Sequence, residues 1–382
     1  MTWAVDGKPI KSVLVTRLRY LGDVVMSTVL SEALKAGDPD LRLGYLCEES
    51  HGKVLEDDAV FESVHLLAVK RRGSDARARV SQLREASSAR GTLATVLELR
   101  RSNYDLAIDL FFNPRSAWLL RLAGIPIRIG GTRRSRGRLY THTAVRSDFT
   151  DDESWSSIAP GGLGEHLCRL APLTHLESGL PFLKWLAGQF QPGQLRPKLS
   201  AAKAITGKRS KAQDSYLVLA PGATWPTKEW SLGHWQTLVK SLLAIPGPRL
   251  KILIPPGREA EWSSPWSGEV GERLELLPPL SLNDIKSELA GSEGFLTVDG
   301  GVMHMAVALG VPTLALFGPT DPNIWFPYEQ MGPFRVLATK PKCHPCDLHQ
   351  CSDFVCLPAL TVDYVLKEVR SLFASCWANG GQ

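Results

Sequence analysis

No part of this sequence is apolar for the roughly twenty consecutive residues that a membrane-spanning helix needs. The opening residues, MTWAVDGKPIKSVLV, lack the basic-then-apolar layout of a secretory leader, so a cytoplasmic protein is the expectation. No G-x-G-x-x-G follows any candidate strand of the first half, which disfavours a dinucleotide site. Charge of one sign is scarce as well: a net +5 over 382 residues suits an anionic substrate or an acidic lipid surface and does not argue for nucleic acid. Neither an aromatic-interleaved sheet signature nor a helix-turn-helix pattern accompanies the basic residues.

What charge there is lies unevenly. Arginines concentrate in KRRGSDARARVSQLRE (70–85) and GTRRSRGRLY (131–140). Solvated loops and helix faces are the ordinary explanation of such runs. The functional one is a basic rim that draws a peripheral enzyme to anionic lipid or polyanionic glycan. Four of the seven cysteines, Cys343, Cys346, Cys351 and Cys356, crowd into CHPCDLHQCSDFVC. That segment is compatible with a metal knuckle, a redox-sensitive pair or a disulfide-closed loop, and a cytosolic chain favours thiols or metal. Its spacings of two, four and four do not match the paired arms of a zinc ribbon.

The length allows two ordinary domains, and the pattern supplies them. SVLV (12–15) reads as a strand buried in a parallel sheet, followed by a polar loop over 17–22 and a helix with Val24, Val25, Thr28, Val29, Ala33 and Leu34 on one face. Strands at 41–47, 63–69 and 104–110 alternate with a helical stretch over 77–101 and a helix ended by Gly124, which makes this half doubly wound. Between 141 and 212 the pattern loosens into a short helix near His166 and a Pro-, Gly- and Lys-rich connector, with a boundary at 180–200. Alternation restarts at 215–222 and continues through KILIPPG, LELLP and SLNDIKSELAG. Asp38-Pro39-Asp40 resembles a D-x-D metal motif, but a helix-to-strand turn collects such residues anyway.

Two places carry chemistry. In GFLTVDGGVMHMAVALGVPTLALFGPTDP a strand, a turn at Asp299, Gly300 and Gly301, and a helix from 302 form the geometry of an anion site. The glycines admit a ligand close to the backbone, and the helix start presents unpaired N–H groups and the positive dipole end. Near the N-terminus, Asp23 sits where a helix begins. As an N-cap it would be stabilised by about 1 kcal/mol. At the C-terminal edge of a parallel sheet it also stands where open α/β folds bind ligands.

Four segments together resemble the heptosyltransferases of lipopolysaccharide core synthesis, glycosyltransferase family 9. They are VLVTRLRYLGDVVMSTVLSEAL, YDLAIDLFFNPRSAWLLRLAGIPIRIGG, LAPGATWPTKEWSLGHWQTLV and VDGGVMHMAVALGVPTLALFGPTDP, in the family's order. The resemblance implies a GT-B architecture: two Rossmann-like domains across a cleft, an acceptor-binding one over 1–190 and a donor-binding one over 191–382, whose C-terminal helix is free to pack back on the first. It implies an inverting transfer of heptose, or a related sugar, from an ADP-activated donor to a lipopolysaccharide-core or other surface-glycan acceptor. The protein would be cytoplasmic, with peripheral contact at the inner membrane, and would need neither cofactor nor metal.

Carried over by position, Asp23 is the general base, Gly22 lets the backbone turn beside it, and Arg17 and Tyr20 belong to the acceptor side. Lys228 is the lysine of the donor phosphates; Gly222, Ala223 and Thr224 donate to the same diphosphate. Asp299, Gly300, Gly301 and His304 form the donor turn, and Glu261, or Glu259 in the neighbouring register, contacts the nucleoside. His304 reads equally as a satisfied core histidine, and Trp225 and Trp230 as packing residues. The chain departs from the family's pattern where many members carry Thr or Ser and it has Gly300, and where Arg19 and Tyr20 replace small serines before L-G-D. A GT-B-shaped sugar-nucleotide epimerase and a non-catalytic glycan- or lipid-binding module are the alternative functions.

Overall fold

The computed structural model describes residues 3–5, 8–68, 91–111, 113–131, 134–144, 196–200, 215–266 and 268–378. The arginine-rich run 70–85, the helical stretch up to 90, His166 with its short helix, and most of the connector and boundary region lie outside these residues. The chain divides into two compact units, Met1–Ser200 and Ala201–Gln382.

In the first unit a short antiparallel hairpin, β1 (Trp3–Val5) and β2 (Lys8–Ile10), precedes a six-stranded sheet. Its strands are β3 (Ser12–Thr16), β4 (Arg42–Glu48), β5 (Ser63–Leu67), β6 (Leu106–Asp109), β7 (Ile127–Gly131) and β8 (His142–Ala144), all parallel, in the order β5-β4-β3-β6-β7-β8. Every residue of β3 is buried, as both-face coverage in a doubly wound sheet demands. Between the strands run α1 (Leu21–Met26), α2 (Thr28–Gly37), the single turn α3 (Glu49–Gly52), α4 (Thr92–Ser102) and α5 (Pro114–Leu122).

The periodicity that reads as one helix after β3 is two. At the break, Ser27 Oγ donates to Val24 O and Thr28 Oγ1 to Val25 O, the local competition for backbone acceptors that makes Ser and Thr poor in helix interiors. The helix also starts inside the stretch read as loop. Leu21 is its first residue, so Asp23 is not the N-cap but the third helical position, reaching back to accept the Tyr20 N–H at 3.1 Å.

The second unit repeats the plan. β9 (Tyr216–Ala220), β10 (Arg249–Leu253), β11 (Leu274–Leu277), β12 (Gly294–Val298), β13 (Thr313–Phe317) and β14 (Phe334–Ala338) form a parallel sheet in the order β11-β10-β9-β12-β13-β14. Its core gathers Trp230, Trp235 and Leu238 with the buried face of the helix Val362–Leu372, where Val365 and Val369 join Phe373. β7, β8, β14 and the opening hairpin were not read from the sequence; they are only three to five residues long, and β7, β14 and β2 also mix arginine, glycine or proline with apolar residues, which hides the buried-strand pattern.

Both sheets therefore have the Rossmann order, with the winding direction reversing between β3 and β6 in one and between β9 and β12 in the other. Register makes these reversals into sites. Thr16 lies level with Asp109, so Arg17 and Leu110 leave the sheet side by side. Ala220 lies level with Thr297, so the Gly222 turn and Asp299 do the same.

Candidate active site

At the reversal point of the first sheet, Arg17 is buried. Its Nη1 donates to Leu110 O and its Nη2 to Asp23 Oδ1, both at 2.7 Å, and its guanidinium lies 5.1 Å from the centre of the Phe111 ring. Asp23 is thus held from two sides, by the guanidinium on one oxygen and by the Tyr20 N–H on the other. A carboxylate has about four lone-pair positions, so a further proton donor can still approach it. Arg19 shares the Phe111 ring at 5.6 Å and also faces the Tyr20 ring at 5.7 Å. Tyr20 is itself 61% exposed, with its edge towards His51. The positions expected on the acceptor side, Arg17, Tyr20 and Gly22, thus gather with Asp23 at one strand end.

At the reversal point of the second sheet, Lys228 closes a short 3-10 turn, Pro226–Lys228. Its Nζ lies 2.6 Å from Asp299 Oδ2 and 4.1 Å from the centre of the Trp225 ring. Seventy-one residues of sequence separate this lysine and aspartate, and only the β9–β12 pairing brings them together. The same Asp299 oxygen accepts the buried Thr320 hydroxyl at 2.6 Å.

Gly300 precedes the helix Gly301–Leu309 with φ −174°, extended backbone open to any residue. A Cβ built there would meet nothing nearer than Val298 O at 3.9 Å, so glycine leaves space in front of the helix rather than permitting a special conformation. A lysine paired with the residue just before an uncrowded helix start is an arrangement that suits an anion.

Some expected donors are engaged otherwise. The Ala223 N–H donates to Glu229 Oε1 at 3.0 Å, so this amide is satisfied within the protein. Glu229 is also gripped by both terminal nitrogens of Arg258, whose Nε in turn donates to Glu261 Oε2 at 2.8 Å. Glu261 is thereby linked through one guanidinium to Glu229, next to the Pro226–Lys228 turn, whereas Glu259 folds back to accept the Gly257 N–H at 3.0 Å, which lowers its carboxyl pKa. Thr224 is exposed on the turn. His304 lies in the interior, its Nδ1 3.0 Å from the hydroxyl of Tyr328, which burial pushes far above the usual tyrosine range. Trp230 packs in the core with its Nε1 donating to Leu360 O, while Trp225 stacks on His349 at 3.6 Å.

The cysteine segment borders this site. Cys346 and Asp347 donate to Pro319 O, His344 Nε2 pairs with Thr320 O at 3.1 Å, and Leu348 O accepts the Thr227 hydroxyl at 2.6 Å. Its four cysteines are free thiols, and among the described residues no three metal-ligating side chains converge. Sequence reading missed Thr320, Glu229, Arg258 and Tyr328. Thr320 and Arg258 follow β13 and β10, the strands flanking the central pair, so strand ends next to the reversal point were the available signal.

Two all-parallel sheets of Rossmann order, each with polar residues at its reversal point, make up the GT-B architecture. Similar proteins carry this further. Residues 167–353 match the profile of glycosyltransferase family 9 (heptosyltransferase). The chain is 30% identical over 281 residues to lipopolysaccharide heptosyltransferase 1 of Pseudomonas aeruginosa, covering 72% of this chain and 68% of that one. It is 22% identical over 325 residues to lipopolysaccharide heptosyltransferase 3 of Escherichia coli K12, covering 82% and 84%. Among solved structures, E. coli ADP-heptose lps heptosyltransferase II superposes with a TM-score of 0.68 at 20% identity over 95% of this chain and 99% of that one. E. coli heptosyltransferase WaaC with ADP-2-deoxy-2-fluoro heptose does so with 0.65 at 22% identity over 94% and 99%. The chain belongs to glycosyltransferase family 9, and it is a glycosyltransferase of the heptosyltransferase type.

Proposed function

We propose that this enzyme transfers a heptose, with inversion, from an ADP-activated donor to a lipopolysaccharide-core acceptor. The observation that carries the reading is the convergence of Lys228 and Asp299 beside the Gly301–Leu309 helix start at the β9–β12 reversal point. The relatives support it: one is a lipopolysaccharide heptosyltransferase, and another is a heptosyltransferase bound to an ADP-heptose analogue.

In this mechanism Asp23 removes the proton from an acceptor hydroxyl as its oxygen attacks the anomeric carbon. The bond from that carbon to the β-phosphate oxygen breaks, and ADP leaves with the electron pair. Charge grows on the β-phosphate during that step, so an ammonium placed there stabilises the transition state more than the ground state. Lys228 supplies it, moving from Asp299 toward the phosphate, while the amides opening the helix from Gly301 bind the same oxygens. Glu261, presented by Arg258, takes the nucleoside hydroxyls. Charge neutralisation by these groups makes a divalent ion unnecessary. An acceptor of this class is amphiphilic, which places the enzyme at the cytoplasmic surface of a membrane.

The test is incubation of the purified chain with ADP-heptose, with and without a core acceptor, followed by measurement of ADP. Acceptor-dependent release of ADP is expected. Conversion of the sugar nucleotide without acceptor would instead mark an epimerase, and no turnover with weak nucleotide binding would mark a binding module.

A further inference from the structure

The outer faces of α4 and α5 bear a feature that the proposed chemistry does not use. Both helices cover the same side of the first sheet and bury Val96 and Leu99, and Ala117, Leu119 and Leu120, against it. Leu93, Leu97, Trp118 and Leu122 point the other way and are 72%, 42%, 53% and 47% exposed. Each pair is spaced four residues apart, so each lines one helix face. Arg100 Nε donates to Leu122 O at 3.0 Å, fastening the last turn of α4 to the last turn of α5. Because both helices run back between parallel strands, Leu97 and Trp118, one turn earlier on each, share a single surface.

The exposed charges that these two helices themselves carry have one sign. Arg100, Arg101 and Arg121 are exposed on the same two helices. The one carboxylate on either helix, Glu98, is turned to His65 Nδ1 at 2.9 Å. An exposed apolar cluster of Leu and Trp rimmed by arginines, with no exposed acid on either helix, is complementary to the interface of an anionic bilayer. There the indole and leucines enter the headgroup boundary and the guanidiniums meet lipid phosphates. α5 begins three residues after Phe111, whose ring the Arg17 guanidinium faces, so one of the two helices of this face starts at the strand end beside the Asp23 site.

We propose that the α4–α5 face is the membrane-docking surface of this enzyme and that it seats on anionic phospholipid. Its role in bringing Asp23 to a lipid-borne acceptor rests on the function proposed above, whereas the docking itself does not. The test is sedimentation of the full chain with vesicles of phosphatidylcholine alone or with roughly a third phosphatidylglycerol, without donor or acceptor. Binding is expected to the anionic vesicles only. It should fall about fivefold for each of Arg101→Gln and Arg121→Gln, and at least about tenfold for Leu97→Ser with Trp118→Ser. ADP affinity and ADP release on a deacylated, soluble acceptor should be unchanged in all of them.

Binding to neutral vesicles as strong as to anionic ones, no binding at all, or equal binding by the variants would overturn the proposal. So would a concentration-dependent dimer of the full chain that Trp118→Ser dissolves, because the face would then belong to a second copy. The two arginine variants keep the apolar cluster and carry the test if the serine pair does not fold. Failure of the transfer reaction with intact vesicle binding would sink the proposed function and leave the docking surface standing.

Discussion

At the scale of single residues, an ion pair stands at the centre of each strand-end site, Arg17–Asp23 and Lys228–Asp299, and the two invite opposite experiments. Asp23→Asn keeps the side-chain shape and the Tyr20 N–H contact but removes the base, so transfer should fall by about 10²–10⁴-fold while calorimetric ADP binding is preserved. Normal turnover would dismiss Asp23 as the base. Lys228→Ala should weaken ADP binding and slow transfer together, because in the proposed mechanism the ammonium of this Asp299 partner serves both the bound diphosphate and its developing charge. Thr320 is a positioning residue in this scheme: its hydroxyl shares Asp299 Oδ2 with Lys228. Thr320→Val should lower kcat about tenfold through that lost hydrogen bond, and Thr320→Ser should restore it. A purely packing role would be rescued by valine and not by serine.

At the scale of elements, glycines mark two different constraints. Gly300 has ordinary extended backbone and open space beside its Cβ position, so Gly300→Ser should leave the urea midpoint unchanged. It should also tighten ADP binding by a few-fold, through the hydroxyl contact that many relatives of the family are expected to have. Gly44, in the middle of β4, is the contrary case: a Cβ there would sit 1.9 Å from the Tyr104 hydroxyl, which is held by His65 Nε2 at 2.8 Å. Gly44→Ala should therefore cost about 1–3 kcal/mol in denaturant unfolding. The turn at Asp299 to Gly301 was legible in the sequence because strand, glycines and helix are contiguous. The bond from the Ala223 amide to Glu229 was not legible in the sequence, since Glu229 is in turn gripped by Arg258, thirty-five residues beyond Ala223.

At the scale of the whole molecule, ligand binding and stability are linked. ADP at a hundredfold excess over its Kd should raise the unfolding free energy by about 2.7 kcal/mol, seen as a thermal shift that Lys228→Ala largely abolishes. Transfer should also survive EDTA, because in the proposed mechanism Lys228 and the helix start carry the phosphate charge that a metal would otherwise neutralise. Loss of turnover on chelation, restored by a divalent ion, would refute that arrangement.

Local pattern was enough to announce an alternating α/β chain, the strand-turn-helix at Asp299 and the L-G-D segment at Asp23, because each depends on neighbours within a few residues. Where those motifs meet their partners was decided by sheet order. Parallel pairing of β9 with β12 sets Lys228 on Asp299, and pairing of β3 with β6 sets Arg17 on Leu110. Strand pairing is a non-local choice made by the burial of both sheet faces, and no periodicity within one segment encodes which strand will lie beside it.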